Sequence, residues 1–289
     1  MRWQRGLWLF LVPSFGLMAL VLVWPLGYAA YLSAFDYHLG SKEMQFVGLS
    51  NYVQLLGEAR FWQSLWTTVL IASGSVAVEF GLGFALALAL YRLTFSVRAF
   101  MILLFLPHII TPVVATLFLK WILTSNWGLL DATLLTFNFN PPDWLGNPVW
   151  AKICVILADA WIFTPFVMLV LYAALQTLDQ AQLEAAKIDG AGGWRILRHI
   201  VLPSMVPVIV FTVSVRLMDV FRFFDTIYVL TGGGPGTATE TITMYTYQLG
   251  FQLLQVGKAS ALGIITLVIV AAIIATFSKI LHTGYGRSG

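Results

Sequence analysis

Six charged side chains lie within or beside the apolar stretches of this chain, where an isolated charge is costly and invites a functional interpretation. They are Glu79, Lys120, Asp159, Arg216, Asp219 and Arg222. From Arg216 to Asp225, basic and acidic residues alternate at every third position, and on a helix such neighbours lie about 60° apart around the axis. The pattern predicts a slanted ladder of opposite charges. The ladder is either an internally neutralised strut or a wall that offers hydrogen bonds to a polar solute, and the spacing leaves both open.

A facing wall is predicted on the apolar stretch that contains Asp159 and Trp161. Thr164 and Pro165 follow on the same stretch and would loosen the helix that carries these two side chains. Asp159 and Trp161 are therefore candidates for the opposite side of a solute pathway, facing Arg216 and Asp219.

Patterns for catalysis, metal binding or nucleotide binding are missing from the sequence. The four histidines, at positions 38, 108, 199 and 282, lack metal-ligand spacing, and the single cysteine, Cys154, lies in an apolar run. No HExxH motif or paired-acid constellation indicates an intramembrane enzyme. No loop of the form GxxxxGK[ST] is present to hold the phosphates of a nucleotide. We therefore expect no catalytic residue, no bound metal and no cofactor in this chain.

The segment TGGGPGT at 231–237 is rich in glycine but is a poor phosphate-binding loop, because Pro235 removes a backbone donor. Gly257-Lys258-Ala259 is a second near match, but Ala259 stands where a hydroxyl residue is required. We interpret the first segment as a turn-forming gate loop. Its core residues are Gly232, Gly233, Gly234 and Pro235.

The composition places the chain in a membrane. Hydrophobic residues make up 59% of its 289 residues and charged residues only 10%, with a mean hydropathy of +0.85, which is more apolar surface than a soluble core of this size could bury. The basic residues are spread among loops rather than massed on one surface, so the sequence pI near 9.0 does not indicate nucleic-acid binding.

Six stretches are long enough to cross the hydrocarbon core, which takes about 20 helical residues. They lie near 8–34, 64–90, 99–123, 151–175, 203–224 and 259–281. Basic residues fall mostly in alternate loops, beginning with Arg2 and Arg5, which predicts that both termini are cytoplasmic. The expected fold is all-α, with residues 1–289 as a single transmembrane domain, an uncleaved first helix and a cytoplasmic loop at 176–202.

That cytoplasmic loop contains the polar run EAAKIDGAGGWRILRHIVLP at 184–203. Asp179 is a predicted N-cap, residues 180–189 have helix-forming composition, and Gly190 can adopt the left-handed conformation that ends a helix. A short second turn from about Trp194 to His199 would then lead to Pro203 at the start of the fifth membrane helix. The result is a bent helical elbow outside the bilayer, either a docking surface for another protein or an ordinary polar hairpin.

The same run resembles the EAA loop of permease subunits of binding-protein-dependent ABC importers, with Leu197 where the family often has phenylalanine. A second stretch, FFDTIYVLTGGGPGTATET at 223–241, is similar to the segment after the fifth helix in carbohydrate-uptake permeases of the maltose, lactose, glycerol-3-phosphate and trehalose type. The likeness extends over the whole six-helix body and is greatest to the first of the two permease partners. It implies the type I importer permease architecture.

The resemblance also implies function and partners. This chain would form half of the pore of an importer for a sugar or sugar derivative in a bacterial or archaeal cytoplasmic membrane. Its partners would be a second homologous permease, because no internal repeat is visible, and either two ATPase subunits or a homodimer of one, which bind ATP and magnesium. An extracytoplasmic binding protein and membrane lipid complete the set. The residues that would couple to the ATPase are Glu184, Ala185, Ala186, Asp189, Gly190, Ala191 and Trp194.

Carbohydrate substrates would also suit aromatic side chains, which pack against the apolar faces of sugar rings. The predicted solute pathway therefore consists of Asp159, Trp161, Arg216, Asp219, Phe223, Tyr245 and Tyr247. The alternative function is an ion-coupled secondary transporter of a small polar solute. Such a transporter would more often contain internal repeats and paired broken helices in corresponding halves, and the sequence has neither.

Overall fold

The computed structural model describes residues 11–41 and 43–285, and nearly all secondary structure in them is helical. The helices are α1 (Leu11–Ser33), α2 (Ser50–Gly57), α3 (Ala59–Arg92), α4 (Val97–Ile109), α5 (Pro112–Ile122), α6 (Leu129–Thr136), α7 (Pro148–Gln176), α8 (Gln180–Ile188), α9 (Gly193–Phe221), α10 (Asp225–Leu230), α11 (Ile242–Tyr247) and α12 (Val256–Tyr285). A pair of two-residue antiparallel strands, β1 (Phe35–Asp36) and β2 (Gln45–Phe46), was not expected from the sequence.

Five helices of the described residues are long and apolar enough to cross a membrane. These are α1, α3, α7, α9 and the Val256–Phe277 part of α12. A sixth crossing is reached only if α4 and α5 together count as one span, and these two helices meet at a bend of 89°. Six spans with both termini in the cytoplasm therefore stay a prediction.

The bend between α4 and α5 differs from the single helix expected over 99–123. Pro112 begins α5, and a proline disfavours helical backbone in the residue before it. Ile110 and Thr111 accordingly have extended ψ angles of 136° and 138°. The chain thus leaves one helix and starts another within two residues, although the hydropathy of the stretch is continuous.

The fifth apolar stretch begins earlier than expected. A helix was predicted over 203–224, whereas α9 runs without a break from Gly193 to Phe221. Pro203 lies just after a π-helical turn, Leu197–Val201. The wide turn shifts the hydrogen-bond pattern directly before a residue that has no N–H to donate, so the helix continues past the proline.

The described residues form two compact units, and the single transmembrane domain expected over 1–289 stays a prediction. One comes from Met1–Gln63 and Tyr245–Ile269, and the other from Ser64–Met244 and Val270–Gly289.

In the larger unit α3 and α7 pack so closely that a side chain at Gly74 would collide with Ile156 and one at Gly83 would press on Val167. A hydrophobic core in the same unit includes Leu183 of the elbow. It comprises Ala87, Leu90, Val167, Met168, Leu171, Ala174, Leu175, Leu183, Val201 and Met205.

Candidate functional site

The predicted elbow is a helix, a tight reversal and a second helix. The Asp179 carboxylate accepts a hydrogen bond from the Ala181 N–H at 2.9 Å and caps α8, as predicted. At the other end, Gly190 has a φ of +74°. The N–H of Gly190 donates to Lys187 at 3.1 Å and the N–H of Ala191 donates to Ala186 at 2.9 Å, which is the Schellman pattern of helix termination. The reversal therefore depends on a glycine at 190.

One face of α8 anchors the elbow to the larger unit. Leu183 is buried in the core described above. The side-chain amide of Gln180 donates to the Tyr91 hydroxyl at the end of α3, at 2.7 Å. Ile196 and Leu197, in the second helix of the elbow, pack against the same core. The elbow is thus attached to α3, α7 and α9 by its apolar side and is not a free loop.

The opposite face of the elbow is exposed. Glu184 and Ala185 on α8 are exposed, as is Asp189 directly after it, and Trp194 is 72% exposed. Ile188, which the sequence analysis did not single out, is 86% exposed. Two large apolar side chains in this position are unusual for a loop surrounded by water and are typical of a surface that another protein covers. The sequence could have indicated this exposure, because Ile188 lies five residues after Leu183 and so points away from the buried face of the helix.

A groove of about 380 Å³ lies between the two helices of the elbow. Asp189 and Arg195 lie on its walls with His199. Two predicted coupling residues, Ala186 and Ala191, also line it and leave it wide because their side chains are small. The groove can therefore receive a side chain from outside.

The buried charges of the membrane helices form one cluster. The Arg216 guanidinium binds Glu79 with two hydrogen bonds, of 2.7 and 2.8 Å, and Asp159 with a third of 3.2 Å. All three side chains are at most 1% exposed. The cluster joins α3, α7 and α9, and the ring of Phe163 covers the guanidinium at 3.8 Å from ring centroid to Cζ. Arg216 is therefore fixed rather than free to follow a solute.

The charge ladder is realised only in part. Asp219 lies 3.6 Å from Arg216 and 3.2 Å from Arg222, and its side chain is 42% exposed. The helix ends at Phe221, so Asp225 instead begins α10. The sequence pattern identified the charges but missed Glu79 as the main partner of Arg216, since 137 residues separate the two.

The other pathway candidates fall in different surroundings. Trp161 is 39% exposed, and the backbone carbonyl of Phe223 accepts a hydrogen bond from Thr243 at 2.8 Å. His108, which was not a candidate, bonds the Ile162 carbonyl at 3.0 Å and packs among Phe105, Phe163 and Phe166. His108 thus connects the end of α4 to the turn of α7 that contains Ile162 and Phe163.

The predicted gate loop is compact and internally bonded. Gly232, Gly233 and Gly236 have positive φ angles, which only glycine adopts at little cost. The buried Thr239 hydroxyl lies 2.7 Å from that of Thr231 and donates to the Gly234 carbonyl at 2.8 Å. The shape of the loop is therefore set by its glycines and its internal hydrogen bonds.

Tyr245 and Tyr247 belong to the smaller unit. The buried Tyr245 hydroxyl donates to Glu58 at 2.5 Å, and the Lys258 ammonium bonds the same carboxylate at 2.5 Å. Burial raises the pKa of Glu58, but these two hydrogen bonds and the positive charges of Lys258 and Arg60 together hold it below its ordinary value of 4.5. Tyr247 stacks on Phe251.

Comparison with known proteins gives a consistent result. A family model described as a binding-protein-dependent transport system inner membrane component matches residues 7–285. The chain is 33% identical over 292 residues to the sulfoquinovosyl glycerol transport system permease protein SmoG of Agrobacterium fabrum, covering 98% of this chain and 94% of the relative. It is 34% identical over 238 residues to the trehalose/maltose transport system permease protein MalF of Thermococcus litoralis, covering 82% and 80% of the two chains.

A solved structure shares the fold. One chain of a bacterial ABC transporter involved in the import of the acidic polysaccharide alginate aligns with 100% of this chain and 98% of its own length. The TM-score is 0.85 at 23% sequence identity. The expected all-α fold with several membrane-spanning helices is therefore confirmed, while the number of spans and the orientation of the termini are not tested.

Proposed function

Because the chain belongs to the family of binding-protein-dependent transport system inner membrane components, we propose that it forms half of the pore of an ATP-driven importer for a sugar or sugar derivative. It is a permease subunit of the cytoplasmic membrane and crosses that membrane several times. Two relatives are named as permeases of transport systems for sulfoquinovosyl glycerol and for trehalose/maltose, which supports a carbohydrate substrate.

The elbow carries the proposed coupling to a separate ATPase. Ile188 and Trp194 are exposed on it and a groove lies between its two helices, while its other face is anchored in the core of the larger unit. Force applied to this surface passes directly into α9, because Gly193 to Phe221 is one continuous helix. The coupling residues remain Glu184, Ala185, Ala186, Asp189, Gly190, Ala191 and Trp194, to which we add Ile188. ATP and magnesium belong to the partner ATPase.

The remaining partners follow from the same proposal. A second, homologous permease supplies the other half of the pore, two ATPase subunits bind the two elbows, and an extracytoplasmic binding protein delivers the substrate. With α4 and α5 counted as one span, six crossings place both termini and the elbow in the cytoplasm and the gate loop outside. Asp219 is the pathway candidate with the best support, because it is charged, half-exposed and held beside the fixed Arg216.

Reconstituted uptake tests the proposal. The permease is purified with its partner subunits and binding protein, placed in proteoliposomes and supplied with radiolabelled trehalose or maltose. We expect uptake that requires ATP on the cytoplasmic side and the binding protein, and that continues when ion gradients are collapsed. Uptake driven by an ion gradient without ATP would instead support the secondary transporter.

A further inference from the structure

A small polar pocket lies at one end of the membrane helices of the smaller unit. Its volume is about 190 Å³, below the roughly 300–1,000 Å³ of pockets for drug-sized ligands. The pocket is enclosed by the β1–β2 hairpin, by α2 and by the start of α12. Side chains from all three segments reach it. The polar lining includes Asp36, His38, Asn51, Gln54, Gln255 and Lys258.

Asn51 is the built part of this pocket. The residue is only 5% exposed, and its amide nitrogen donates to the carbonyls of Ser33 and Phe35, both at 2.9 Å. Both N–H groups are thereby used. No hydrogen bond to its amide oxygen is found among the described residues, and because Asn51 lines the pocket we take this oxygen as an acceptor for a ligand there.

The other lining groups supply positive and negative charges, and both donors and acceptors of hydrogen bonds. The Gln54 side-chain amide donates a hydrogen bond to the Ser50 hydroxyl at 3.1 Å, so its amide oxygen can accept one from a ligand. In the described part of the chain no hydrogen bond of the Gln255 side chain is found, so this amide can both donate and accept. Asp36 adds a carboxylate 3.4 Å from the imidazole of His38. Lys258 adds an ammonium group that Glu58 already binds.

This mixture selects the chemistry of the ligand. An anion would meet the Asp36 carboxylate and the fixed Asn51 oxygen, and a cation would meet Lys258. A neutral hydroxyl group can donate to the acceptors and accept from the amides and the ammonium group at the same time. The pocket therefore suits a neutral polyhydroxylated molecule of about one ring.

We propose that this pocket is a peripheral binding site for a single sugar ring, separate from the proposed pathway along α9. That the ligand is a sugar rests on the proposed function, whereas the preference for a neutral hydroxylated ligand rests on the lining alone. On the proposed topology the pocket opens outside the membrane, where a sugar would arrive.

Protection of a cysteine from labelling tests the site in the complete transporter. Cys154 is replaced by alanine, and Val47, an apolar lining residue, becomes the reporter in Val47→Cys. Glucose should slow the reaction of this cysteine with a membrane-impermeant maleimide, by about tenfold at ten times the dissociation constant if occupancy follows mass action. Met44→Cys, in the same hairpin but outside the pocket lining, should be unaffected.

Further arms identify the ligand class and the residues. Gln54→Leu with Gln255→Leu should abolish protection, whereas Gln63→Leu, at an exposed position outside the pocket, should retain it. Arginine and inorganic phosphate should give no protection. The site is refuted if glucose never protects Val47→Cys, if the double variant keeps protection, or if arginine protects instead. If glucose fails to protect Val47→Cys while ATP-driven uptake is intact, only this site is refuted. If glucose protects Val47→Cys but uptake does not depend on ATP, only the proposed function is refuted.

Discussion

Arg216 is held by two carboxylates from other helices, while Asp219, one turn further along α9, is half-exposed. The two acids beside this arginine therefore have different expected roles. Glu79 makes a bidentate contact away from solvent, where loss of one partner leaves a buried charge uncompensated. Asp219 contacts its basic neighbours at an accessible position, where ion pairs contribute little to stability.

Replacing each acid by its amide separates these roles. Glu79→Gln should destabilise the complex by about 3 kcal/mol or more, measured as a lower thermal unfolding temperature and a reduced yield of assembled transporter. Asp219→Asn should cost at most about 1 kcal/mol and leave assembly intact, while it changes the rate or apparent affinity of uptake. Equal stability of the two variants would contradict a structural role for the Glu79 contact.

Glu58 predicts a pH dependence of stability. Its pKa is lowered in the folded protein, so the carboxylate stabilises the fold at pH values above its ordinary pKa of 4.5. The contribution is lost as the pH falls through the lower pKa of the folded state. The unfolding temperature of Glu58→Gln should therefore lie below that of the wild type at pH 7, and the difference should shrink below about pH 4.5. Glu43→Gln, at an exposed carboxylate, serves as control, and a difference that grows in acid would contradict the assignment.

Local features of the elbow could be predicted from the sequence, and distant contacts could not. Asp179 and Gly190 act within a few residues of themselves, so their cap and left-handed turn follow from residue type and position. The pairing of Arg216 with Glu79 depends on how α3 and α9 pack. Hydropathy alone offers no signal for such a pair, although it identified both residues as costly charges in an apolar stretch.

At the scale of helices and strands, hydropathy located the apolar stretches but not their breaks. The bend at Thr111 and Pro112 follows from backbone sterics, which an average over 20 residues conceals. The unbroken course of α9 past Pro203 is the opposite case, since a π-helical turn accommodates the proline. The polar pocket also lay beyond sequence reasoning, because three separate segments enclose it.

The packing of α3 on α7 gives a prediction with a matched control. A Cβ atom at Gly83 would lie 3.0 Å from Val167 and 3.1 Å from the backbone nitrogen of Met168, whereas one at Gly81 would meet nothing within 4 Å. Gly83→Ala should therefore destabilise the protein by about 1–3 kcal/mol through overpacking. Gly81→Ala should be neutral or slightly stabilising, because alanine is the better helix former. Thermal unfolding of both variants measures the difference, and equal effects would contradict the close packing.

For the whole molecule, the topology is the first testable feature. In a Cys154→Ala background, Gly192→Cys in the elbow should react with a maleimide only from the cytoplasmic side. Thr237→Cys in the gate loop should react only from outside, because an odd number of membrane crossings separates the two. Both positions are exposed, so a membrane-impermeant reagent applied to intact cells and to inverted vesicles gives the answer. Reaction of both cysteines from the same side would overturn the six-span topology.

In the proposed function, an ATPase drives the pore through the elbow. Gly190 carries the left-handed turn with open space around it, so Gly190→Val would strain only the backbone, by about 1–2 kcal/mol. Gly193 is equally open but helical, and Gly193→Val is the matched control. Glu184→Lys reverses an exposed charge on the same surface.

Substrate-stimulated ATP hydrolysis, measured with the complete transporter in proteoliposomes, tests this claim most directly. Gly190→Val and Glu184→Lys should assemble normally yet lose most of the stimulation and the uptake, while Gly193→Val should retain both. Stimulation at the wild-type level in Gly190→Val and Glu184→Lys would contradict the account and leave the elbow an ordinary polar hairpin.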